Sequence, residues 1–80
     1  MKTATIDILG KKYSGTGETA REAIAAIPYS GRVIGKGLLT VKGEEGERTI
    51  ILGLMQVKRL FAPNRLSKEI AVKQTAMRFE

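Results

Sequence analysis

Residues 15–31, GTGETAREAIAAIPYSG, spell one short amphipathic helix with its own start and stop signals. Ala20, Ala23, Ile24 and Ile27 recur at i, i+3, i+4 and i+7, which lines them along a single stripe. Thr19 and Glu22 have the spacing of a capping box, in which each side chain satisfies a free N–H of the first turn. Glu18 and Glu22 suit the positive end of the helix dipole. Pro28 stops the helix and YSG turns the chain away. Whatever this chain folds into must give that one stripe an apolar surface to cover.

The flanking segments supply the surface. In TATIDIL, Ala4, Ile6 and Ile8 alternate with Thr5 and Asp7, the period-2 pattern of a strand with one wet side. Gly10 turns the chain and KKYSG returns as a second strand. Beyond the helix, GLLTVKGEEGERTIILGLM reads as another hairpin with GEEG at its tip. Its second strand points Ile50, Leu52 and Leu54 one way and Ile51 and Met55 the other, so both faces ask for cover. Residues 54–61 either prolong that strand or form a short helix carrying Leu54, Val57 and Phe61. Pro63 or Asn64 then opens a last helix, because proline suits a first helical position and asparagine is a good cap. The expected fold is a single α+β domain over residues 1–80. It has two layers: two antiparallel β-hairpins with helices packed on one face, in the order β-β-α-β-β-(α)-α.

A chain of 80 residues buries only about 60–65% of its unfolded surface, so its core is thin. Without cysteine it has no disulfide or thiolate metal site to support that core. Close apolar packing or self-association must do so. No apolar run reaches the roughly 20 residues of a membrane span, and MKTATIDILG lacks the apolar core of a leader. A cytoplasmic protein with no membrane partner is expected.

Catalysis finds little support. There is no histidine and no cysteine, so the commonest base, nucleophile and transition-metal ligands are missing. The carboxylates form no pair beyond EEGE, which sits on a hairpin tip. Gly15, Gly17 and Ala20 match the G-x-G-x-x-A spacing of a pyrophosphate loop between strand and helix. The acidic residue due about 20 positions later is absent, with Leu38 to Thr40 there instead. Small residues easing the entry of the helix explain the stretch better. A non-enzymatic protein with no catalytic residue, cofactor, metal or small-molecule substrate is expected.

Charge points toward binding. Fourteen basic against eight acidic residues leave a net charge of +6, enough to attract a polyanion. The local excess is strongest in Leu54–Glu80, with six basic and two acidic residues. Candidate phosphate contacts are Lys58, Arg59, Arg65, Lys68, Lys73 and Arg78, joined by Arg32 and Lys36 on a glycine-rich loop. Tyr13 beside Lys11 and Lys12 has the setting of a base-stacking side chain, though packing on its own hairpin is the plainer reading.

The last helix carries two apolar stripes. At about 100° per residue, Leu66, Ile70 and Met77 fall together, and Val72, Ala76 and Phe79 fall in a second row. One stripe suffices to dock a surface helix. The second is either covered by residues 54–61 or exposed as an interface, with Val72, Ala76 and Phe79 as its candidates and Ile51 and Met55 beside them. Two classes of function follow. The first is a nucleic-acid-associated module that contacts phosphates and self-associates through its C-terminal helix. The second is a protein-interaction module without nucleic-acid binding: a self-assembling structural subunit, or a small inhibitor or adaptor such as viruses and mobile elements encode.

Overall fold

The computed structural model describes residues 1–29 and 32–79. Strands β1 (Lys2–Ile8) and β2 (Lys11–Gly17) form the first hairpin, followed by helix α1 (Ala20–Ala25). Strands β3 (Gly37–Gly43) and β4 (Gly46–Leu52) form the second hairpin, followed by helices α2 (Leu54–Leu60) and α3 (Arg65–Met77). The order is the one expected, and residues 54–60 are helix, not a longer strand. Leu54 therefore leaves the strand pattern assigned to it. Gly53 ends the strand and caps α2, its N–H donating to the Gln56 side-chain oxygen at 2.8 Å.

The two hairpins join into one four-stranded antiparallel sheet, ordered β2-β1-β3-β4. β1 and β3 are the central pair, with Ile6 opposite Leu39 and Ala4 opposite Val41. This pairing gathers Ala4, Ile6, Ile8, Leu39, Val41 and Leu52 on one face, where all are buried. Ile6, Leu39 and Leu52 meet Val57 and Leu60 of α2 in the fully buried centre. Each such side chain contributes roughly 1.5–3 kcal/mol relative to leaving it in water. An edge-to-face pair, Tyr13 on Tyr29 with ring centres 4.9 Å apart, and Phe61 against Tyr29 at 4.7 Å, pack at the margin of this core. Tyr13 thus packs with its own chain.

The opposite face carries a different chemistry. Thr5 pairs with Ser14 and Thr40 with Thr49, their hydroxyls 2.9 and 2.8 Å apart. Thr3 and Thr16 lie opposite one another beside them, and Leu38 pairs with Ile51 at one end. Both faces of β4 were expected to need apolar cover. Only the end where Ile51 meets Leu38 is apolar on the second face, because Thr3, Thr5, Asp7, Lys12, Thr40, Lys42, Glu47 and Thr49 on that face are hydroxyls and charges.

Local signals account for the joints. The β1–β2 turn holds Leu9 at φ 53° and Gly10 at φ 87°, the doubly positive pattern of a tight hairpin turn. The Asp7 carboxylate accepts the Gly10 N–H at 2.9 Å. Helix α1 has only six residues, too few to persist alone, so caps and packing must hold it. Its cap forms as the spacing implies: the Glu22 N–H donates to Thr19 Oγ1 at 3.1 Å. The reciprocal bond reaches one residue further back, from the Glu18 N–H to the Glu22 carboxylate at 2.9 Å. Asn64 caps α3 by accepting the Ser67 N–H at 3.0 Å.

Gly15 and Gly17 explain the GTG stretch without any ligand. A Cβ on Gly15 would lie 2.5 Å from backbone atoms of Ala23, Ala26 and Ile27. One on Gly17 would lie 2.5 Å from Glu22 Cβ and 2.7 Å from the Ala23 nitrogen. The backbone of α1 rests directly on β2, which only glycine permits. Gly15→Ala is expected to cost about 1–3 kcal/mol by overpacking against immovable backbone. Urea denaturation of the variant, showing a lower midpoint at unchanged slope, checks this.

Candidate functional site

The helical layer sorts the charged candidates. Lys58 and Arg59 lie on α2, Arg65, Lys68 and Lys73 lie on α3, and Arg78 caps the C-terminal end of α3. All are exposed except Lys68, which is half-buried. Arg65 forms an ion pair with Glu69 at 3.2 Å, one helical turn on. With both side chains largely in solvent it contributes little stability. Among the described residues no other ion pair forms, so the remaining cations are electrostatically available.

The fold brings two of them together. Arg59 of α2 and Arg78 border a groove of about 100 Å³, with Gln56 and Gln74 beside them and Ala71 and Thr75 also lining it. Arg59 and Arg78 are visible along the chain as charges, whereas the place of Gln56 follows only once 54–60 is a helix beside α3. Arg32 and Lys36 are exposed on the connection between α1 and β3, outside that groove. The Arg32 carbonyl accepts the Tyr29 hydroxyl at 2.7 Å, which ties the connection to the aromatic cluster.

Acidic residues collect elsewhere. Glu18, Glu44, Glu45 and Glu47, with Lys2, Arg48 and Phe79, surround a depression of about 340 Å³ at the β3–β4 turn. The hydroxyl face of the sheet forms a shallow third depression of about 630 Å³. Among the described residues no helix is long and apolar enough to cross a membrane.

The apolar candidates on α3 require correction. Val72 and Ala76, read as interface residues, are 3% and 2% exposed and belong to the chain's own core. Phe79 is half-buried and packs against that core. The outward row is the other one: Leu66, Ile70 and Met77 are 67%, 50% and 62% exposed. α3 runs beside both α1 and α2, and its inner side is built from Ala71, Val72, Thr75 and Ala76. Small side chains allow that close approach, and the bulky row is left on the side facing water. Ile51 and Met55 are exposed as expected, on the open sheet face and on α2 respectively.

No protein-family model, curated protein or solved structure matches the chain.

The reversal of stripes is directly measurable. Val72→Asp buries a charge without a partner and is expected to destabilise by more than about 3 kcal/mol. Ile70→Asp changes an outward position and, measured on single chains at low protein concentration, is expected to stay within about 0.5 kcal/mol. Denaturant titration of both variants checks the pair, and equal losses would contradict the assignment of the buried side.

Proposed function

We propose that this chain is a small non-enzymatic binding module that associates with a second copy of itself through the outer row of α3. The observation that carries this reading is the exposure of Leu66, Ile70 and Met77 in one row on a helix whose inner side is already filled. Each such side chain left in water forgoes roughly 1.5–3 kcal/mol of burial, a large fraction of the stability of a small domain. The row spans about 16 Å at ~1.5 Å per residue. It is also self-complementary. An antiparallel pairing about a two-fold axis passing between Ile70 and Lys73 on the outer side sets Leu66 of one copy toward Met77 of the other, and Glu69 toward Lys73.

Two copies of net charge +6 repel one another, so added salt screens the repulsion and favours the pair. Light scattering is expected to give a mass above one chain at high concentration, rising further with salt. Ile70→Asp should return it to one chain without loss of fold. A wild-type mass of one chain at every concentration would discard self-association.

A second reading, contact with nucleic-acid phosphates, is favoured by the charge layout. Among described residues, α2 and α3 present Lys58, Arg59, Arg65, Lys68, Lys73 and Arg78 against the single carboxylate of Glu69. Its salt dependence has the opposite sign, since each phosphate contact releases counterions. Retardation of a DNA or RNA probe at about 50 mM salt, weakening steeply as salt rises, is the expected outcome.

A further inference from the structure

We infer that the groove between α2 and α3 seats one phosphate group of a nucleic-acid backbone, held by Arg59 and Arg78 with Gln56 and Gln74 as neutral donors. The inference rests on the phosphate-binding reading and is independent of self-association.

Four features of the groove converge. Every side chain that lines it is a cation, an amide or a small residue, and no carboxylate is among them. Neither Arg59 nor Arg78 takes part in an ion pair among the described residues. The Gln56 oxygen is already occupied by the Gly53 N–H at 2.8 Å, so the Gln56 amide has its N–H donors left to offer. Thr75 is the one buried polar side chain among the described residues, and it lines this groove.

Chemistry selects the ligand. A guanidinium presents N–H donors in a planar fork that matches the oxygens of a phosphate or a carboxylate, and a net charge of +6 favours the ligand that carries a run of negative charge. A volume of about 100 Å³ is well below the roughly 300–1,000 Å³ of pockets that enclose drug-sized molecules. It suits a single oxyanion reached from outside. The chain's net charge of +6 surrounds the groove with positive potential, as a backbone carrying successive phosphates requires.

Titration of the full chain with a 12-nucleotide single strand and, separately, with inorganic phosphate tests the site, read by nitrogen-15 NMR of the arginine side chains. Both probes are expected to shift the Arg59 and Arg78 signals. The R59Q/R78Q double variant, whose exposed positions leave the fold intact by circular dichroism, is expected to bind the strand about tenfold more weakly. Its log–log salt slope should fall by about 0.7, one phosphate contact on a single strand. Removing the same charge from β2, as K11Q/K12Q, should change affinity less than about twofold if the groove and not net charge is responsible. Equal losses from the two double variants would overturn the site. So would a strand that binds wild type and R59Q/R78Q alike, although nucleic-acid binding would then stand. Shifts from inorganic phosphate with no binding of the strand would overturn the nucleic-acid assignment and leave a free anion as the ligand. No shift from either probe would overturn the proposal.

Discussion

The antiparallel pairing of β1 with β3 is the constraint on which everything else depends. Two isolated hairpins would each be marginal in water. Joined through Ile6 opposite Leu39, they become one sheet with a single continuous apolar face. The other face is then dominated by hydroxyls, cross-bonded between Thr5 and Ser14 and between Thr40 and Thr49. All three helices must crowd the one apolar side.

That crowding explains the choice of small residues. Gly15 and Gly17 let the backbone of α1 settle on β2. Ala71, Thr75 and Ala76 let α3 close over α1 and α2. With the inner side of α3 occupied by small residues, its bulky row faces outward. The same geometry sets α2 beside α3, and their polar flanks define the groove between Arg59 and Arg78. An apolar row and a cationic groove are thus neighbouring consequences of one packing arrangement. They predict opposite responses to salt, so association between copies and phosphate contact are separable in solution.

Much of the fold was legible along the chain because its signals are local. Alternation in TATIDIL, the Thr19–Glu22 spacing, Asn64 after Pro63 and the GEEG tip each act within a few residues. The apolar row of α3 was legible as a row, but its direction was not. A helical wheel weighs large side chains as buried, whereas a close three-helix contact selects small ones. Arg59 and Arg78 were visible as charges, while their meeting was not, because it depends on the relative placement of two helices.

The sequence by itself determined the elements, their order, the caps and the excess of positive charge, since propensity, capping and formal charge are properties of neighbouring residues. Tertiary structure alone decided which row of α3 meets water, which cations share a groove and why GTG contains two glycines. Those outcomes depend on how closely backbones far apart in the chain can approach, and that distance is set by packing, not by any local pattern.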